Sequence, residues 1–579
     1  MPLLPINKPQ DLVTFDLLID GKPIPQTVQV YSIDIWHELN RIPRAKVIII
    51  DGDPSKETFA QSESNLFNPG TEVEILAGFH SDNTSIFKGI ITAQSIRVRA
   101  GGRNTLMIDC SDRAVAMTNI PRSRYFYDMT ESKMFQDIIG QYQGLKSTVE
   151  RTDYRHGELL QFQSTDWDFM MTRAEVNGMF CIVDGGSVQI ETPNFNKAPV
   201  HEIIFGRNLL EMDAEMDAET QLPNVKATSW DYSKSMIART ESSLRDAAVP
   251  GDISSSELAE VYQSNEWILQ NGGKIPEELL YHWVNAKRMR HELAKVRGRV
   301  RITGKALMPG SIVTLLGLGD RFNGNAFVSG VKHSIANGDW VTDIQYGLSP
   351  KSFAERFNLS RPSAQGMTPS VGGLQIGLVT AIEGDPEKDE RILVRLPLVG
   401  EQETGLWARL STRGAGNNRG LVFRPEIGDE VIVGFVNEDP NQPIILGSLH
   451  SSANSSPIVA KDENHQKGWL TRGKIKLMID DDLPEVRVEM PSGRKVVLND
   501  NDGEIVLNDP NGNSLVMNSD GIDLQSGNDI SISASGNVSV RGTNVSVDAN
   551  ANLKTSGGSG ATLEAGGQTV VKGAIVSIN

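Results

Sequence analysis

Two cysteines, Cys110 and Cys181, are all that the 579 residues contain. That excludes a disulfide framework and a four-thiolate zinc site, and leaves reduced structural thiols as the expectation. Aromatics are scarce, at 6%, and residues 474–579 contain no Trp, Phe or Tyr. The chain also lacks a cationic excess. Its 56 Lys and Arg stand against 73 Asp and Glu, a formal charge of −17. A general nucleic-acid binder, which needs clustered cations, is disfavoured. No long apolar run occurs. VIII at 47–50 has strand length, far short of the ~20 residues that span a bilayer. Prolines interrupt the opening MPLLPINKPQDLV, where a signal peptide needs a continuous apolar stretch. The expectation is cytoplasmic synthesis, with any exit from the cell by a route other than general secretion.

Length and composition otherwise allow three or four domains with ordinary cores. Residues 11–120 have strand character, as in LVTFDLLIDGKPIP and AKVIIIDGD. Asp128 and Glu131 in DMTE have the spacing of a capping box ahead of the helix MTESKMFQDIIGQY. TDWDFMMTRAEVNG predicts a second helix with Trp167, Met170, Met171 and Ala174 on one face and Gly178 at its end. In 276–298, Leu279, Trp283, Ala286, Met289, Leu293 and Val296 step by fours and threes, with Pro276 at the start and Gly298 at the stop. The stretch 361–373, rich in Pro, Ser and Gly, has the composition of a linker. After it, LQIGLVTAIEGD, ERILVRLPLV, GLWARLST, GDEVIVGFV and PIILGSLH predict five short strands, enough for a small closed barrel of the oligonucleotide/oligosaccharide-binding (OB) type. A polar connector covers 451–473.

From 474 the chain consists of short strands closed by Asn-Asp-Gly turns, then DISISASGNVSVRGTNVSVDAN at 529–550. There the pairs Ile530/Ile532, Val538/Val540 and Val545/Val547 recur at intervals of eight and seven residues. Each unit is too short to close one turn of a single-chain β-helix, which takes about twenty residues. The geometry closes if three chains each supply one side of a triangular prism, each unit burying its face on its neighbours. A disordered polar tail is the competing interpretation, and strict alternation with β-branched residues argues against it.

At this point the sequence resembles a known family. RPEIGDEVIVGFVNEDPNQPIILGSLHS at 424–451 is similar to the signature of VgrG-family spikes of type VI secretion and related contractile injection systems. TDWDFMMTRAEVNGMFCIVDGG at 165–186 and the segment 298–344 resemble parts of that family's hub, in the same order. The resemblance implies a mainly β chain with some α. Residues 1–360 would be a hub of two barrel-like β halves with helical insertions. Residues 374–450 would be the OB-type neck and 474–579 an intertwined trimeric β-helix needle. It also implies a homotrimer whose hub meets a hexameric Hcp-like inner tube and baseplate proteins. A PAAR-repeat tip protein would dock on Ile575, Val576, Ser577, Ile578 and Asn579, where a bare prism end would expose strand edges. Effector cargo and a transiently pierced target membrane complete the partners. Cofactors, metals, catalytic residues and nucleic acid are not expected, and neither the lysozyme nor the toxin domain of some relatives finds room in this sequence. The opening IDGKPIPQTVQVYSIDIWHELNRIPRAKVIIIDGD is closer to spikes of extracellular phage-tail-like systems.

Competing motifs are weak. GAGNNRG at 414–420 is one residue off a dinucleotide fingerprint but opens no helix. His282 and His291 stand nine residues apart and cannot share a metal from one helix turn. The run Asp480-Asp481-Asp482 lacks the Gly-rich loop of a calcium site. Trp407, Arg409, Arg413, Arg419, Phe423 and Arg424 could line a single-strand groove on the barrel, the main alternative function. A polysaccharide-cleaving tailspike is a third, disfavoured by the absence of aromatic sugar platforms in the tail.

Overall fold

The computed structural model describes residues 13–222, 224–243, 249–263, 266–359 and 361–578. The chain divides into two compact units, 1–370 and 371–579. Residues 1–12 and Asn579, on which parts of the sequence expectation fall, lie outside the described residues.

The first unit is organised by a 13-stranded sheet. Strands from the first hundred residues, such as Val30–Glu38, Arg44–Ile50 and Thr105–Ser111, alternate apolar and polar side chains. Their inward Ile33, Ile35, Val47, Ile49 and Ile108 form one core. Strands Val296–Thr303, Gly324–Ala336 and Asp339–Tyr346 form a second core around Val300, Val328 and Ile344. The two halves are stitched into one sheet where Gly324–Ala336 runs antiparallel to Val30–Glu38, with His333 opposite Ile35.

The helices pack in clusters apart from these two cores, three of them around Phe135, Met170, Val188 and Phe353. Helix α1 (Glu131–Ile139) begins at Thr130, whose hydroxyl accepts the Lys133 N–H. The predicted capping box does not form. Asp128 stays in the preceding strand, paired at 2.6 Å with Arg155, and Glu131 turns inward to accept a hydrogen bond from Arg173. Helix α2 (Asp166–Val176) buries Trp167, Met170, Met171 and Ala174, the predicted face, and Gly178 follows it with φ +70°. Helices α3 (Ser255–Glu260), α4 (Glu277–Ala294) and α5 (Phe353–Arg356) are the others among the described residues. Helix α4 ends earlier than the periodicity implied. Val296 and Gly298 already belong to a strand, where Gly298 lies against Tyr346 and the Asp213 carbonyl with no room for a Cβ. The predicted linker is partly packed, since Ser363–Gly366 forms a tight turn, with Ala364 and Gln365 at positive φ, that buries Ala364.

In the second unit, five strands close a barrel: Gln375–Ala381, Ile392–Arg395, Leu406–Leu410, Glu430–Phe435 and Pro443–Ser448. Val379, Val394, Ala408, Val431, Val433 and Ile445 fill its interior. A seven-stranded antiparallel meander comes next, each strand paired with its successor, from Gln466–Leu470 to Gly521–Gln525. Its first strand falls in the stretch expected to be a connector. Among the described residues, no helix is long and apolar enough to cross a membrane.

Candidate functional site: an apolar ladder and an unpaired tail

The strands of the meander from Lys476 onward are five residues long, so each offers alternate residues to opposite faces. The register aligns these residues into columns. Trp469, Leu477, Val488, Val496, Leu507, Leu515 and Leu524 face one another across successive strands. Two residues along, Ile479, Val486, Leu498, Ile505, Met517 and Ile522 form a second column on the same face. The reverse face carries Lys476, Glu489 and Lys495 in register at one margin and Asp480, Glu485, Asn499 and Glu504 at the other. In its middle column Val497, Val506 and Val516 are aliphatic, flanked in the same register by Arg487 and Asp523.

The apolar face is therefore continuous over the whole meander, yet in the isolated chain it is half open. Leu498 is 48% exposed and Ile522 72%. Monomeric proteins rarely leave such a surface uncovered.

The turns between strands are self-sufficient. Asp480 accepts N–H bonds from Asp482 and Leu483, and Asp509 from Asn511 and Asn513. Those backbone donors hold both carboxyls below the ordinary carboxylate range. Asp480-Asp481-Asp482 is thus a hydrogen-bonded turn, and no cluster suited to a metal ion is found among the described residues.

Beyond Gln525 no strand pairing occurs among the described residues. Ile530, Ile532, Val538, Val540, Val545 and Val547 are all exposed, as are Ile575, Val576, Ser577 and Ile578. Backbone groups left without a ladder and aliphatic side chains left in water are what interchain pairing would satisfy.

Two of the residues proposed for a single-strand groove have partners within the chain. Phe423 stacks on Trp469 with ring centroids 5.8 Å apart, and Arg424 is ion-paired with Glu390. GAGNNRG forms a minimal hairpin, Ala415–Gly416 against Arg419–Gly420, with no helix behind it. His291 is buried, its Nδ1 against the Thr220 carbonyl, while His282 is only partly buried.

The first unit holds its helices with buried ion pairs that composition alone did not reveal. The Asp166 carboxylate accepts Arg124 at 2.6 Å, Tyr142 at 2.7 Å and Gln161 at 2.9 Å. Glu175 on α2 accepts the Asn40 amide at 2.9 Å, the Phe353 N–H of α5 at 2.6 Å, and Arg290 of α4. One carboxylate thus ties three helices to the end of a sheet strand.

A sheet-based hub, a closed five-stranded barrel and a stacked ladder of short strands, in that order, are the parts of a tail-spike protein. Three family models match in the same order: the Alg8 N-terminal domain over 9–337, the type VI secretion system/phage-baseplate injector OB domain over 375–450, and the phage baseplate V C-terminal trimerisation domain over 485–554. The first spans more than half of the chain, which belongs to that family and, with the barrel and C-terminal matches, to the VgrG-type spike proteins.

Among curated relatives, the type VI secretion system spike protein VgrG1b of Pseudomonas aeruginosa is 22% identical over 73% of this chain and 59% of its own length. The actin cross-linking toxin VgrG1 of Vibrio cholerae is 33% identical over 17% of this chain and 10% of its own length. The chain thus spans from a tenth to about three fifths of these relatives. Solved structures include the 43 kDa tail protein of prophage MuSo2 from Shewanella oneidensis, with TM-score 0.44 and 11% identity over 58% of this chain and 98% of that one. The Francisella PdpA–VgrG complex, half-lidded, has TM-score 0.38 and 10% identity over 89% of this chain and 88% of that one.

Proposed function

We propose that three copies of this chain form the central spike of a contractile injection machine. The two-column apolar ladder and the unpaired tail are the observation that carries this reading. A face of thirteen aligned apolar residues, continued by a tail of alternating apolar and polar residues without strand partners, becomes a buried seam when three chains wind together. The match to a trimerisation domain over 485–554 supports the same number of copies.

In this reading the hub sits at the end of a hexameric inner tube, three two-halved hubs matching six subunits, and joins the baseplate. Contraction drives the needle through the target membrane, and a PAAR-type protein covers the end formed by residues 575–579. The action is mechanical, with rigidity in place of covalent chemistry. The chain is made and assembled in the cytoplasm and leaves it as part of the fired or released particle, with effectors as cargo. The occupied Phe423 and Arg424 give no support to a nucleic-acid groove on the barrel.

The test is the mass of the intact chain in solution by light scattering after size exclusion. A species of about 190 kDa, three times the 63.3 kDa chain, that survives heating in detergent is expected. A 63 kDa monomer would overturn the reading.

A further inference from the structure

The hairpin that joins Asp82–Arg97 to Thr105–Ser111 carries charge of the opposite sign to the chain as a whole. Its tip, IRVRAGGRN at 96–104, holds Arg97, Arg99 and Arg103 and no carboxylate, on a chain of formal charge −17. All three arginines are exposed, as are Ile96, Val98 and Tyr31 beside them. Cations further along the same sheet have partners: Lys46 lies 3.3 Å from Asp109, and Arg113 is paired with Glu72. The hairpin arginines have no carboxylate partner among the described residues. Arg103 lies instead over the Tyr31 ring, 5.8 Å from its centroid.

The register fixes where the tip lies in the first unit. Arg97 faces Thr105, Thr105 faces Ile50 and Ile49 faces Val30, so these residues share one end of the sheet. Trp36, Arg44 and Ser111 share the other end, which the rise from Arg44 to Ile50 puts about 20 Å away. Residues 353–357, which precede the second unit in the chain, are held at that other end. Glu175 accepts both the Asn40 amide and the Phe353 N–H, and the Arg41 guanidinium lies 5.3 Å from the centre of the Phe357 ring.

We infer that the hairpin 97–104 is a docking element for an acidic protein surface, carried by the ring of subunits that meets the hub at the end away from residues 353–357. The inference rests on the spike reading above. Guanidinium forks pair with carboxylates in planar, bidentate geometry, and Arg beside an aromatic ring is a composition enriched at protein interfaces. Other polyanions fit less well. An anionic bilayer is recognised by clusters of about four to eight cations. A nucleic-acid strand needs open aromatic platforms, whereas Tyr31 is covered by Arg103.

The experiment is fluorescence anisotropy of the full chain with labelled decaglutamate in low salt. Oligothymidylate of the same length, and vesicles of equal parts phosphatidylserine and phosphatidylcholine, are run beside it. Arg97→Gln/Arg99→Gln/Arg103→Gln removes the charge from exposed positions, and Lys461→Gln/Lys554→Gln/Lys572→Gln, exposed elsewhere, is the control. Decaglutamate should bind parent and control alike, and weaken as salt rises from about 20 to 200 mM. On the hairpin variant its affinity should fall about tenfold, at roughly two- to threefold for each exposed ion pair lost. No binding by the parent, or equal affinity in parent and hairpin variant, would overturn the hairpin as the dock. Tighter binding of oligothymidylate or vesicles than of decaglutamate, lost in the same variant, would overturn the protein partner in favour of that polyanion. Light scattering on the same samples separates the two readings: a monomer that binds decaglutamate through the hairpin would overturn the spike and leave the acidic dock.

Discussion

Leu498→Asp is a sharp test of the ladder. Leu498 stands between Val486 and Ile505 in the second apolar column, and its 48% exposure in the isolated chain leaves about half of its side chain to be buried by assembly. Full burial of a Leu contributes about 1.5–3 kcal/mol, so the substitution forfeits about 1 kcal/mol of assembly energy per chain from lost area. The larger cost is the carboxylate. Enclosed among aliphatic neighbours without a partner, it costs several kcal/mol or must take up a proton. Three such groups meet in one layer, so the trimer should lose on the order of 10 kcal/mol in all. The assay is electrophoresis of the variant without boiling, with light scattering across a heating series. We expect a trimer that dissociates tens of degrees below the parent, or no trimer. Glu504→Gln, at the charged margin of the reverse face, should leave the melting point within a few degrees. If Leu498→Asp were as heat-stable as the parent, the two-column face would not be the seam.

Other parts of the chain give three further expected outcomes. Val538→Asp, in the tail, should likewise lower the dissociation temperature, and unchanged heat stability would place Val538 on the outside. Glu175→Ala strands Arg290, a buried guanidinium, and should cost the hub about 3–5 kcal/mol in denaturant unfolding, whereas Glu175→Leu combined with Arg290→Met should recover much of it. Equal losses in the single and double variants would refute the linkage. Burial holds His291 down at about 4 and His333 at about 3, against an ordinary 6.5, so both stay neutral in the fold while unfolded chains take up protons. Hub stability is therefore full above about pH 6.5 and falls with acidification, by about 1.4 kcal/mol per unit per group, until pH reaches those lowered values. A melting curve flat between pH 6.5 and 4.5 would contradict this, and His333→Phe should flatten part of the slope.

The strands of the barrel and ladder were legible because alternation with period two, closed by Gly and Asn turns, leaves little else for a short segment to do. The α2 face was equally plain from Trp167, Met170, Met171 and Ala174. The end of α4 was not. Val296 continues the helical spacing, but the pull of the adjacent sheet begins at that residue, with Val296 opposite Met216. The cap of α1 was misplaced because Glu131 had the spacing of a capping residue while Arg173, 42 positions away, drew it into the core. Gln466–Leu470 carries only one strong apolar pair, and its pairing with Lys476–Asp480 decides it. Which aliphatic residues of the barrel face outward was hidden for a different reason. When both faces of a strand are aliphatic, as in PIILG, sequence cannot separate the residues that fill a core from those that await a partner.

The ladder also has a direction. Its hydrogen bonds lie across the strands and hence along the stack, with layers spaced by about 4.8 Å, so seven strands rise roughly 30 Å. A thrust along that line compresses bonds and packed side chains layer on layer. Removing a layer would require a whole strand to be sheared from both neighbours at once, all its bonds together, since no edge lies along the path of the force. Length is set by counting strands, and because each strand reverses the chain, the count can change only in pairs if the tail beyond the ladder is to keep its heading.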